Sequence, residues 1–116
     1  MSITIDLPWP PSANTYWRRN GSRYFISTKG QHYRTTVGWL CHKFRRSFGA
    51  TERIRLSILA FPPDKRKRDL DNLFKSVLDS LQFANVFVDD SQIDELSIRR
   101  MPEQQGRIEI TLEQIR

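Results

Sequence analysis

The stretch RIRLSILAF, Arg53 to Phe61, constrains the fold more than any other part of the chain. Ile54, Leu56, Ile58 and Ala60 recur at every second position, which is the period of a strand and not of a helix. Pro62 and Pro63 follow at once. Neither can donate to a sheet ladder, so the strand stops there. Whatever comes next must leave the sheet, and what comes next is DKRKRDLDNLFK, Asp64 to Lys75.

The flanking segments complete a small α+β pattern. SITIDLPW alternates Ile3, Ile5 and Leu7 and reads as a half-buried strand. Pro8 to Gly21 contains three prolines and ends in Asn-Gly, so it reads as a loop. SRYFIS is a short strand or hairpin arm. A helix is expected from Ser27 or Thr28, because Thr28 and Gln31 have capping-box spacing. Its apolar stripe is Tyr33, Val37, Leu40, Cys41, Phe44 and Phe48. A second helix is expected from about Asp71 to Phe83, with Asn85 in a left-handed turn just past its end. Strands near Ile93–Met101 and Arg107–Ile115, joined around Gln105-Gly106, close the chain. The expected fold is a mixed or antiparallel sheet of about four strands packed with two main helices. With 116 residues, it is expected to form one domain, 1–116.

Charge is sorted along the chain. Residues 1–68 hold 14 Lys and Arg against 3 Asp and Glu, a balance of +11. Residues 69–116 hold 5 against 10, a balance of −5, and the whole chain carries +6. The sign changes at Asp69. Such a basic half calls for a polyanionic partner, most simply nucleic acid. No apolar run approaches the ~20 residues of a membrane span, and no secretory signal is visible. The single cysteine, Cys41, excludes an internal disulfide and fits a cytoplasmic setting. Its place on the apolar stripe marks it as a core thiol. His32 and His42 have no partner at metal-ligand spacing.

Asp69 and Asp71 cannot share a face within one helix, since two residues turn the chain by ~200°. They converge if Asp69 is still extended and Asp71 begins the helix, where capping and the dipole favour an aspartate. Lys75, four residues on, projects from the same side as Asp71. VDDSQID supplies a third acid. A helix from Asn72 to Phe83 rises ~18 Å, and Ala84 to Asp90 spans up to ~23 Å. The chain can therefore return and place Asp89 or Asp90 beside the first two. Three such carboxylates suit a hard divalent cation. That site can activate water and stabilise a phosphate undergoing in-line displacement, with Lys75 offsetting transition-state charge. Lys65, Arg66, Lys67 and Arg68 would hold adjacent phosphates. Asn14, Arg18, Arg19 and Arg23 are further candidates for phosphate contacts. Trp9, Tyr16, Trp17, Tyr24 and Phe25 either stack on unpaired bases or pack in the core.

DKRKRDLDNLFK followed by FVDDSQI resembles the RusA-type Holliday junction resolvases encoded by phages and prophages. The resemblance takes in LPWPPSANTYWR and covers almost the whole chain in motif order and spacing. It implies a RusA-like fold and a C2 homodimer in the cytoplasm of a bacterial host or phage-infected cell. The activity it implies is Mg²⁺-dependent endonucleolytic cutting of four-way DNA junctions by symmetric paired incisions, in recombination and repair. It places the catalytic acids on Asp69, Asp71 and Asp90 as Mg²⁺ ligands and the catalytic lysine on Lys75. Mn²⁺ is expected to substitute for Mg²⁺, with no organic cofactor and no membrane. Phe74 and Asn85 depart from the family pattern, and neither is a proposed ligand. Two other readings use the same residues: an idle junction- or duplex-binding protein, and a less selective fork or flap nuclease.

Overall fold

The computed structural model describes residues 1–115. Strands β1 (Ser2–Pro8), β4 (Ile54–Phe61), β5 (Ile93–Arg100) and β6 (Arg107–Gln114) form one sheet in the order β1-β6-β4-β5. β4 runs antiparallel to β6 and parallel to β5, and β1 is antiparallel to β6. The sheet is therefore mixed, as its sequence pattern allowed. The two C-terminal strands do not pair with each other, because β4 lies between them. A parallel β4–β5 pair needs a crossover, and residues 62–92 provide it. The charged segment after Pro63 thus leaves the sheet and returns to it.

Register explains the core. Three rows cross the sheet: Ile3–Leu112–Leu56–Leu96, Ile5–Ile110–Ile58–Ile98 and Leu7–Ile108–Ala60–Arg100. Their middle members are almost fully buried, together with Tyr33 and Val37 of helix α2 (Thr28–Leu40) and Val77 and Leu81 of helix α3 (Phe74–Phe83). Burial of each such side chain contributes roughly 1.5–3 kcal/mol. On the outer strand β5 the rows run out into solvent, and Arg100 takes the place of an apolar residue.

Pro8 to Gly21 is not simply a loop. It contains the short helix α1 (Ala13–Tyr16) and strand β2 (Trp17–Asn20), which pairs with β3 (Arg23–Ile26). The expectation missed these elements because the anchor is a single residue, Tyr16, whose side chain is fully buried. Gly21, at φ 66, supplies the left-handed residue of the hairpin turn.

α2 begins at Thr28, but its cap is Ser27, whose hydroxyl accepts from Gly30 N at 3.0 Å. The same hydroxyl donates to the Thr15 carbonyl, so the cap also ties the helix to α1. A Cβ on Gly30 would stand 2.5 Å from the Tyr16 carbonyl oxygen. Only glycine permits that approach. α2 ends at Leu40, which is half exposed, and a tighter turn over His42–Phe44 carries the chain on to buried Phe48.

The second helix opens as a tight 3₁₀ turn, Leu70–Leu73, before regular α geometry starts at Phe74. Its far end is as expected. Asn85 has φ 62, and Val86 N donates to the Leu81 carbonyl at 3.2 Å, closing a Schellman-type cap.

Candidate active site

Asp69 is extended, with φ −82° and ψ 128°, and Asp71 lies in the 3₁₀ turn that opens the helix. That is the backbone arrangement needed for the two carboxylates to approach each other. Both are exposed, and among the described residues neither side chain has a protein partner. They line a cleft with Trp9, Lys65–Arg68 and Arg100.

The basic run ahead of them is braced from within. Asp64 accepts from Arg66 N at 2.9 Å, from the Arg66 guanidinium and from Arg68 Nη1 at 2.8 Å. These bonds, those from Arg68 first, hold its carboxyl well below the usual carboxylate range. Arg100 donates to the Arg68 carbonyl, and the Arg68 guanidinium stands 5.7 Å from the centre of the Trp9 ring. Lys65 and Lys67 alternate with these arginines and are exposed. The outer strand of the sheet thus fixes the backbone one residue before Asp69.

Lys75 and Asp90 line a second cleft, with Asn14, Arg18, Arg19, Tyr24, Asp79 and Asp89. Here the structure separates two adjacent acids. Asp89 caps the 3₁₀ turn Asp90–Gln92, accepting from Ser91 N at 3.0 Å, and Ser91, through its side chain first and then its backbone N–H, lowers the Asp89 pKa. Gln92 completes the box by accepting from Asp89 N at 3.0 Å. The buried Gln92 amide donates to the Gly49 and Glu52 carbonyls at 2.6 and 2.9 Å. Asp89 is therefore committed to the turn. Asp90 donates its backbone N–H to Gln82 Oε1 at 3.0 Å, while its carboxylate has no partner among the described residues.

Asp69 and Asp71 thus line one cleft, and Lys75 and Asp90 line the other. Among the described residues, no three His, Cys, Asp or Glu side chains gather closely enough to enclose a metal ion. The donor chemistry fits Mg²⁺: the three carboxylates are exposed, without partners among the described residues, and set beside cations. Mg²⁺ is commonly held by one or two carboxylates with substrate phosphates and water completing its shell, not by an all-protein cage.

Sequence reasoning missed a buttress at the second cleft. Asp79, one helical turn after Lys75, takes a bidentate pair from Arg34, Nε to Oδ2 at 2.8 Å and Nη2 to Oδ1 at 3.0 Å. It also accepts from the Tyr16 hydroxyl, which lies 3.2 Å from Ser80 Oγ. Burial, with help from Asp79, pushes the Tyr16 phenol up to about 12. The spacing Lys75–Asp79 and the position of Arg34 off the apolar stripe were the available signals. Cys41 is fully buried, and burial pushes its thiol up to about 11, which makes it inert at neutral pH.

Residues 8–113 match the family model described as endodeoxyribonuclease RusA. The chain is 47% identical over 94 residues to a crossover junction endodeoxyribonuclease of Enterobacteria phage HK97, covering 81% of this chain and 78% of that protein. It is 38% identical over 112 residues to the crossover junction endodeoxyribonuclease RusA of Escherichia coli K12, covering 96% and 93%. A relative from Enterobacteria phage 82 is 39% identical over 109 residues, covering 93% and 91%.

Proposed function

The chain belongs to the RusA family of endodeoxyribonucleases, and on that premise we propose that it resolves four-way DNA junctions by paired, symmetric phosphodiester cuts. Residues 1–116 would act as one endonuclease domain, in a cytoplasmic C2 homodimer. A two-fold dimer presents one site to each of two opposed strands, which matches the symmetry of the substrate.

The observation that carries this reading is the junction of two kinds of side chain at Arg68–Asp69. Cations held in place by Asp64 and Arg100 lead directly into carboxylates that have no side-chain partner among the described residues. A surface that only bound DNA would gain nothing from Asp69, Asp71 and Asp90 set among phosphates. These three would hold Mg²⁺, or Mn²⁺ in its place. When bound, the cation supplies Lewis-acid charge at the phosphate and lowers the pKa of water.

The chain's own residues do the remaining work. Arg66 and Arg68 hold phosphates next to the scissile one, with Lys65 and Lys67 adding charge that is free to adjust. Asn14, Arg18 and Arg19 take the strand where it crosses the second cleft. Lys75 places an ammonium where charge develops in the transition state. Asp89 and Gln92 hold the turn that presents Asp90.

A labelled synthetic junction with a mobile core, set beside linear duplex and a fork, tests the proposal in Mg²⁺ and in EDTA. Paired nicks are expected in Mg²⁺ alone. Asp71→Asn is expected to cut at least about 100-fold more slowly while binding the junction as well or better. Tight binding with no cutting in either Mg²⁺ or Mn²⁺ would leave an idle junction binder. Equal cutting of fork and junction would make the protein a less selective nuclease.

A further inference from the structure

The five aromatics between Trp9 and Phe25 separate cleanly in the structure. Tyr16 is fully buried, and Trp9 and Trp17 pack against the core. Tyr24 and Phe25 remain 69% and 49% exposed on the β2–β3 hairpin. Being adjacent in a strand, they point to opposite faces. Tyr24 lines the cleft that holds Lys75 and Asp90, and Phe25 does not. Arg19 stands directly across the hairpin from Tyr24, its guanidinium 5.7 Å from the ring centre. The Arg19 Nε bond to the Gly21 carbonyl, at 2.6 Å, keeps it there.

We propose that Tyr24 is a base-stacking residue that selects branched DNA, taking an unstacked nucleobase beside the strand held at Lys75 and Asp90. The proposal rests on the reading of that cleft as the nuclease site. A planar ring with a cation beside it suits any base, because every base offers a π-face. In continuous duplex those faces are already stacked, whereas the base pairs flanking an opened branch point lose a stacking neighbour and expose a face. Tyr24 would therefore add affinity for junctions and none for linear DNA. The hairpin's root, Trp17 paired with Ile26, is held by the core, so the ring is presented on a fixed base.

The test uses the full chain in EDTA, where binding is read without cutting, on junctions carrying 2-aminopurine at the branch point. Wild type and Tyr24→Phe are expected to quench the probe at saturation, and Tyr24→Leu and Tyr24→Ala to leave it bright. The two aliphatic variants are also expected to bind junctions about 10-fold more weakly, with duplex affinity and dimer content unchanged. Identical fluorescence for tyrosine and leucine would overturn the proposal. So would an equal loss of affinity on junction and duplex, or dissociation of the dimer. The nuclease reading itself fails on a different result, absence of Mg²⁺-dependent cutting by the wild type.

Discussion

Two basic surfaces of this molecule are ordered by different forces. The segment from Asp64 to Arg68 is exposed and gains its shape from charge: one carboxylate grips two arginines, and a third arginine grips the backbone. The β2–β3 hairpin carries Arg18, Arg19 and Arg23, none of which meets a carboxylate among the described residues. Its order comes from below, from buried Tyr16, the Gly30 approach and the Ser27 cap. Order held by charge can be traded for phosphate, since a DNA strand competes with Asp64 for the same guanidinium groups. Order held by packing persists whether or not DNA is present. The loop therefore suits gripping of the backbone, and the hairpin suits fixed presentation of a side chain.

The sharpest way to break this contrast is to remove the loop's charge. Replacing Lys65, Arg66, Lys67 and Arg68 together with alanine is expected to weaken junction binding about 100-fold near physiological salt. The slope of log affinity against log salt should flatten by about 0.9 for each phosphate that the protein no longer neutralises. Thermal stability should hardly move, because no buried side chain is touched. An unaltered slope would transfer the phosphate-binding role to the hairpin or α2.

The hairpin's anchor should respond in the opposite manner. Asp79→Ala leaves the Arg34 guanidinium and the buried Tyr16 hydroxyl without their acceptor. Loss of about 2 kcal/mol is expected, or roughly 5–10 °C in melting temperature. Salt should restore little of it, since these groups are partly shielded from solvent. Calorimetry with and without added salt decides the point, and an unchanged melting temperature would mean the hairpin is held by the Gly30 and Ser27 contacts alone.

The same contrast explains what the sequence made legible. Strands β1, β4 and β6 were readable because each alternates against a single buried face. The turn at Asn85 was readable because few residues besides glycine tolerate its backbone. The α1 helix and β2 strand were hidden, since the contacts that hold them are distant in sequence, among them Tyr16 reaching 63 residues along the chain to Asp79. Position of β4 between β5 and β6 was hidden too: three alternating strands look alike whichever is central. At the site, spacing brought Asp69, Asp71 and Lys75 into view but could not choose between Asp89 and Asp90. In the structure the buried Gln92 amide holds Asp89 in a cap, while the Asp90 carboxylate has no partner among the described residues.

A smaller change sharpens the contrast at the two ends of the pH scale. Tyr16→Phe removes one donor to Asp79 and is expected to cost about 1 kcal/mol at neutral pH. Burial raises the Tyr16 pKa from 10.0 to about 12, so the folded protein holds the phenol proton more tightly than the unfolded chain. That contribution is complete below about pH 10 and is lost as the pH climbs towards 12. Urea unfolding across this window should show wild-type stability falling faster than that of Tyr16→Phe, with Tyr33 and the lysines common to both. Parallel decline would assign the alkaline loss to those shared groups and leave Tyr16 a packing residue. The loop has the reverse dependence. Asp64 is held low by Arg68 and Arg66, so its brace is complete above about pH 4 and weakens only as the pH falls further. Alkali should therefore loosen the hairpin's root while leaving the loop's brace intact, and acid should do the opposite.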